Sequence, residues 1–301
     1  MKQKGDAQQI CASPFLRNCG RREEPAFCCG AMLFFCVPLW YNGSDLRRVG
    51  GFPGPRGTTL RRNRTYRQEK MRIKGIVFDI GQTLAYYPIP LNWSALYRPA
   101  FESIAEKNRL QITEREYTHI GEVLSKYNTR IHPREREVSS DTIFREILGG
   151  TNIPTVCQES IKRDFYSFFR REVRVYDDVP ETLKALKAKG IMTGTFSDVP
   201  YGMDNSYAFA DIAEVLDYID FPFTSNDAGY RKPNRKGLEI LAGKMKIRTS
   251  EMIFAGDEKK DVECALNAGA TAVLINRDEK EKDFGQDYTI RNFGELLKIT
   301  G

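Results

Sequence analysis

Apolar residues recur along this chain with two different periods, and the two periods take turns. Ile73–Phe78 is a short apolar run rich in β-branched and aromatic residues, which predicts a strand. Across residues 92–175 the apolar positions switch to helical spacing, with amphipathic runs at Leu96–Asn108, Glu114–Asn128 and Ile161–Val173. Asp177-Asp178-Val179-Pro180 then predicts a further helix with a carboxylate cap and a proline in its first turn. Leu183 and Leu186 lie on one face of that helix, and Gly190 ends it. Ile191–Phe196, Tyr218–Phe223, Met252–Ala255 and Thr271–Ile275 read as four more strands. Between the last two, Val262, Ala265 and Leu266 form the inner face of a helix that stops at Gly269.

Strands alternating with helices predict an α/β fold, a parallel sheet covered on both faces. One strand precedes the helical block and the others follow it. The block therefore reads as an insertion on the loop at the carboxyl end of the first strand, the end at which open α/β sheets bind ligands. The expected organisation is a core of residues 71–84 and 176–301 with a helical cap at 85–175. Such a cap would cover the site.

The pattern stops upstream of Met71. Arg47–Lys70 is rich in Gly, Pro and Arg and has neither period, so it buries too little to offset its ordering entropy. Residues 1–70 read either as a disordered basic leader or as a non-native extension with Met71 as the working start. The net charge of +6 belongs to this segment, where thirteen Lys/Arg face five Asp/Glu for a net of +8. The remainder carries 33 basic and 35 acidic residues, a net of −2, which argues against a nucleic-acid partner. Five of the seven cysteines also lie before Met71; Cys157 and Cys264 alone make no disulfide framework, so a reducing, cytoplasmic setting is expected. The apolar stretch Ala31–Tyr41 is about half the length a bilayer requires and is broken by Pro38. Neither a membrane partner nor a signal peptide is expected, and nothing in the sequence specifies an oligomeric state.

Candidate chemistry sits at the strand ends. Phe78-Asp79-Ile80-Gly81-Gln82-Thr83 runs an apolar strand into a carboxylate, and Ile253-Phe254-Ala255-Gly256-Asp257 does so again, with Asp261 one helical turn later. Ser197 follows another strand, and Lys232 stands in Gly229-Tyr230-Arg231-Lys232-Pro233-Asn234. Each has an ordinary alternative: a turn-capping Asp, an acid favoured by a helix dipole, a capping Ser, a solvated Lys. Taken together and in this order they resemble the haloacid dehalogenase superfamily, over roughly residues 71–277. There an Asp ends the first strand, a Ser or Thr the second, a Lys precedes a helix, and a G-D-x-x-x-D run ends the fourth.

The resemblance implies a Rossmann-like core with an inserted helical cap, and a hydrolase acting on a small-molecule substrate, most members being phosphatases. It implies Asp79 as nucleophile, with Ser197 and Lys232 completing the catalytic set. Gly81, Gln82, Ser197, Asp198 and Lys232 would contact substrate. A Mg²⁺ ion would be held by Asp79, the Gly81 carbonyl, Asp257 and Asp261, hard oxygen ligands of the kind it prefers.

One position departs from the phosphatase pattern. Two residues after the nucleophile those enzymes carry a second Asp as general acid and base; here stands Gly81. Gln82 beside it cannot shuttle protons at neutral pH. Branches without this Asp include carbon–halogen and carbon–phosphorus hydrolases, but the dehalogenases work without metal, and Asp257 with Asp261 is a metal-type pair. A phosphonate, an activated phosphate, slow phosphatase activity, a phosphatase that recruits a proton donor from the cap, or a binding module that lost turnover all fit. Tyr86, Tyr87, Trp93, Tyr97 and Arg98 are candidates for the pocket wall, Tyr201 and Met203 follow Ser197-Asp198 closely enough to reach the pocket, and His132 is a candidate for the missing proton donor.

Overall fold

The structure is a computed structural model and describes residues 72–89, 91–170, 172–278 and 280–300. The readings made above for the leader lie outside the described residues.

Strand β1 (Gly75–Phe78) leads to a two-residue strand β2 (Ala85–Tyr86) and four helices, α1 (Trp93–Asn108), α2 (Glu114–Tyr127), α3 (Ser140–Gly149) and α4 (Gln158–Phe169). The chain returns through β3 (Arg174–Val175), which pairs antiparallel with β2. It continues as α5 (Val179–Ala188), β4 (Met192–Thr195), α6 (Asn205–Ala210), α7 (Ser225–Ala228), α8 (Lys236–Met245) and β5 (Met252–Gly256). Helix α9 (Lys259–Ala268), β6 (Thr271–Ile275), β7 (Tyr288–Ile290) and α10 (Leu296–Ile299) complete it.

The five-stranded sheet has the order β4-β1-β5-β6-β7, and all its pairs are parallel. β1 is buried along its whole length, and its side chains alternate between faces. Ile76 and Phe78 join an apolar cluster with Leu183, Leu186 and Phe293, while Val77 joins Leu238, Leu241 and Val262 on the other face. Helices α1–α4 form the inserted helical region and close a separate apolar cluster around Phe101, Phe144 and Phe165, each fully buried. Burying one such ring contributes about 1.5–3 kcal/mol, so the insert has a core of its own.

The structure corrects several local expectations. Tyr218–Phe223 is not a strand. Among the described residues its one backbone bridge to the sheet edge is Phe221 to Gly194, and the hydroxyls of Thr193 and Thr195 make further bonds, to Tyr218 O and to the Phe223 amide and carbonyl. Pro222 has no amide hydrogen to donate, and the Asp220 carboxylate occupies the Thr193 amide at 3.0 Å, so no continuous ladder forms. Asp178 does not cap α5. Its carboxylate instead accepts both Arg277 Nη atoms at 2.9 Å and the Phe293 amide at 2.8 Å. Leu266 is exposed rather than inward, although Val262 and Ala265 are buried and Gly269 ends α9 in the left-handed region as expected. Helix α3 and the short β2, β3 and β7 were not foreseen individually.

Candidate active site

Because β4, β1 and β5 are parallel neighbours, their carboxyl ends lie on one edge of the sheet. The amide of Asp79 donates to Ala255 O at 2.9 Å and the amide of Phe196 to Phe78 O at 2.8 Å. That registry sets Asp79 between the tip carrying Ser197 and the tip carrying Asp257. Asp261 folds back over its own strand end: a Cβ at Gly256 would lie 2.5 Å from the Asp261 carboxyl. Only glycine admits this approach, which gives the G-D-x-x-x-D spacing a steric reason.

One oxygen from each of Asp79, Asp257 and Asp261 can be chosen so that all lie within 4.8 Å of one another. Lys232, whose side chain is fully buried, puts Nζ 2.7 Å from Asp79 Oδ1 and 2.7 Å from Asp261 Oδ1. The ammonium thus bridges two carboxylate oxygens that are themselves buried. Burial raises Asp257 to about 8, with Asp79, Asp261 and Glu258 adding to the rise and Lys232 opposing it. Burial likewise raises Asp261. Burial would lower Lys232, but Asp261, Asp79 and Asp198 outweigh it and hold the ammonium charged. Three carboxylates facing one ammonium make an oxygen-only donor set short of positive charge, which fits a hard divalent cation.

Asp79, Lys232 and Asp257 open on a cavity of about 900 Å³ between the strand ends and the helical insert, with Asp261 buried behind them. Gly81, Gln82, Ser197, Asp198 and Lys232 all line it. Ser197 is held through its backbone, its carbonyl accepting from Ser225 N at 2.9 Å, and its hydroxyl makes no hydrogen bond among the described residues. Gln82 adopts φ 57° and accepts from Tyr176 Oη at 3.3 Å, a strained conformation for a residue with a side chain. Asp198 faces inward: its Oδ1 accepts the Lys232 amide at 3.0 Å, and Lys260 Nζ lies 3.5 Å from Oδ2. Burial works against its charge, yet Lys232, Arg231 and Lys260 keep its carboxyl below the usual range.

The expected wall residues divide. Tyr87, Trp93, Tyr201 and Met203 line the cavity. Tyr86 packs its ring at a tilt against Tyr176, centroids 4.7 Å apart, Tyr97 is buried in the insert, and Arg98 is exposed with Glu102 and Glu114. His132 is exposed and does not line the cavity.

Asp211, which follows α6, was missed. It lines the same cavity, and Tyr87 Oη donates to its Oδ2 at 2.6 Å. Burial raises its carboxyl above the ordinary value, while the Tyr87 hydrogen bond and Arg170 lower it. Burial, then Asp211, raises the Tyr87 hydroxyl as well, and the charge of Asp79 is felt there. No motif marks Asp211; it lies 132 positions from Asp79 in a stretch with no distinctive spacing.

Residues 76–275 match the family described as haloacid dehalogenase-like hydrolase. The chain is 28% identical over 215 residues to phosphoglycolate phosphatase of Shigella dysenteriae serotype 1 (strain Sd197), covering 67% of this chain and 80% of that one. It is 27% identical over 215 residues to the protein of the same name from Escherichia coli (strain K12), with the same 67% and 80% coverage. Among solved structures, 2-haloacid dehalogenase from Pseudomonas syringae pv. Tomato DC3000 superposes with a TM-score of 0.55 at 20% identity, over 75% of this chain and 97% of that one. That likeness is one of fold.

Proposed function

Since this chain belongs to the haloacid dehalogenase-like hydrolase family, we propose that it is a Mg²⁺-dependent hydrolase of a small phosphorylated metabolite, working through a covalent aspartyl intermediate at Asp79. One observation carries this reading: Asp79 lines the cavity together with Asp257 and the Lys232 ammonium, which also holds Asp261 close by. The relatives called phosphoglycolate phosphatase favour a phosphate monoester of a small organic acid as substrate class.

In the first half-reaction Asp79 attacks phosphorus, the bond from phosphorus to the ester oxygen breaks, and the leaving alkoxide takes up a proton. Water then attacks phosphorus, the bond to Asp79 breaks, and the water gives up a proton as phosphate forms. Lys232 and the Ser197 hydroxyl address the transferring oxygens, where preorganised donors act most strongly on developing charge. Mg²⁺, held by Asp79, the Gly81 carbonyl, Asp257 and Asp261, would supply screening of the phosphate charge from the attacking carboxylate. Asp198 supports Lys232 through its amide.

Gly81 supplies no proton, so the reading assigns that role to Asp211, acting through the Tyr87 hydroxyl bonded to it. With Asp211 protonated the hydrogen bond between them would reverse, so that Tyr87 would pass its proton to the leaving oxygen while taking one from Asp211, and the return transfer would serve the second half-reaction. Because burial raises the Asp211 carboxyl, its protonated form persists to higher pH than a solvated Asp, and this limb of the rate falls as pH rises through that value. Asp211→Asn is expected to lower kcat/KM on alkyl phosphates by about 10²-fold, and to leave aryl phosphates with good leaving groups nearly unchanged. Equal losses on both substrates would remove Asp211 from the mechanism.

A panel of sugar phosphates, phosphorylated carboxylic acids, aryl phosphates, phosphonates and 2-haloacids, assayed with Mg²⁺ and after chelation, tests the whole reading. Phosphate-ester turnover should appear with Mg²⁺, drop at least tenfold on chelation and return when Mg²⁺ is restored. Metal-independent release of halide would favour a dehalogenase, and turnover confined to phosphonates a phosphonatase. Binding without turnover across the panel would favour a ligand-binding module.

A further inference from the structure

The helical insert touches the core at a place that the chemistry above does not use. Its segment Glu135–Glu137 runs antiparallel to Gly229–Arg231, the stretch just before Lys232, with Arg136 bridged to Tyr230. The amide of Glu137 donates to Gly229 O at 3.1 Å and that of Arg231 to Glu135 O at 2.8 Å. Arg136 also lays its guanidinium over the Tyr230 ring, 4.9 Å from its centre.

At the end of this short ladder the Glu137 side chain, 4% exposed, enters the core. Its Oε2 accepts from Arg231 Nη1 and from Ser225 Oγ at 2.5 Å; its Oε1 accepts from the Val138 amide at 2.9 Å and from Arg134 Nη2 at 3.3 Å. Arg231 is as deeply buried, and the same Nη1 donates to Val199 O at 2.7 Å. Val199 is two residues past Ser197, and its amide donates to Ser225 Oγ at 3.0 Å. One carboxylate from the insert therefore ties together the loop after β4, which carries Ser197 and Asp198, and the loop that carries Lys232.

We propose that Glu137 is a positioning residue: docking of the cap through Glu137 and Arg231 aligns Lys232 and Ser197, so that closure of the cap and assembly of the catalytic groups are one event. The physical argument is that Arg231 adjoins Lys232 in the chain and has its charge buried. Without Glu137 it has only the Val199 carbonyl, the weak Thr129 contact at 3.5 Å and Asp198 at 3.9 Å to satisfy it. A buried guanidinium left short of partners moves to find them. Any shift of Arg231 carries the Lys232 amide with it and disturbs its bond to Asp198. A displacement near 1 Å in a catalytic group can cost about 10²-fold in rate.

The inference rests on the hydrolase reading for its kinetic readout but has a second readout that does not. Glu137→Gln keeps the shape and acceptor oxygen while removing the charge facing Arg231. It is expected to lower kcat by 10- to 100-fold with KM changed less than threefold. It is also expected to speed hydrogen exchange at the amides of Glu137, Arg231 and Lys232, with helices α1, α4 and α5 protected as before. Ser225→Ala removes one hydroxyl donor and leaves no unpaired charge. It should give a smaller loss of kcat with the same exchange pattern, and it decides the matter if the Gln variant does not fold. Arg136→Ala, on the exposed side of the same ladder, is the control and should stay within twofold of the parent. Unchanged kcat in both Glu137→Gln and Ser225→Ala overturns the proposal. So does a loss of kcat with no faster exchange in residues 229–232. If the parent protein turns over no panel member, the hydrolase reading fails while the exchange experiment still decides whether Glu137 organises the Lys232 loop.

Discussion

Asp79→Asn is expected to reduce turnover of a phosphate ester by a factor on the order of 10⁶, the scale of loss when a hydrolase is deprived of its nucleophile. The substitution is nearly isosteric. The amide of residue 79 keeps its bond to Ala255 O, so the strand tip has no reason to move. What disappears is the anionic oxygen that would bond to phosphorus. The folded protein should keep a stability close to the parent's, because losing the Asp79 charge lowers the cost of charging Asp257 and Asp261 but also takes one ion-pair partner from the buried Lys232. Rapid-quench experiments followed by intact-mass analysis should find one phosphoryl group on the parent protein, mapped to Asp79, and none on the variant. An Asn variant retaining activity within tenfold of the parent, or a phosphoryl group on another residue, would end the covalent mechanism.

Gly81→Asp in the Asp211→Asn background is expected to raise kcat/KM on alkyl phosphates by about 10²-fold, restoring what Asp211→Asn removed. The position has room: a Cβ built on Gly81 meets no atom within 4 Å, and its φ is not among the positive values. An aspartate there borders the same cavity as Asp79. In the parent background the same substitution should speed alkyl phosphate hydrolysis by a smaller factor, since a proton donor is already present. That non-additivity is the signature of two groups serving one role. Equal gains in both backgrounds would mean that Asp211 donates no proton. No gain in either would mean that proton transfer is not limiting, or that the leaving group needs none.

Much of the site was legible before any coordinates because its chemistry is bound to strand ends. Asp79, Ser197 and Asp257 each directly follow or nearly follow an apolar run, and a parallel sheet brings such ends to one edge. Gly256-Asp257 with Asp261 was legible as a pattern, but its cause, a carboxyl lying where a Cβ would be, needed the fold. Tyr218–Phe223 was misread because apolar content resembles a strand whether or not each amide can join a ladder, and Pro222 cannot. Asp178 was misread as a cap because its true partners, Arg277 and the Phe293 amide, lie about a hundred residues away.

From sequence alone came the alternation of elements, the parallel sheet, the interruption by helices and the placing of Asp79 and Asp257 at strand ends, because periodicity and strand-end residues are local properties of the chain. Only the tertiary structure decided that Asp211 shares the cavity with Asp79, and that Glu137 reaches across to Arg231. Those pairings join residues 94 to 132 positions apart in the chain. They arise when separate elements pack and a buried charge takes the partner within reach, which no spacing along the chain records.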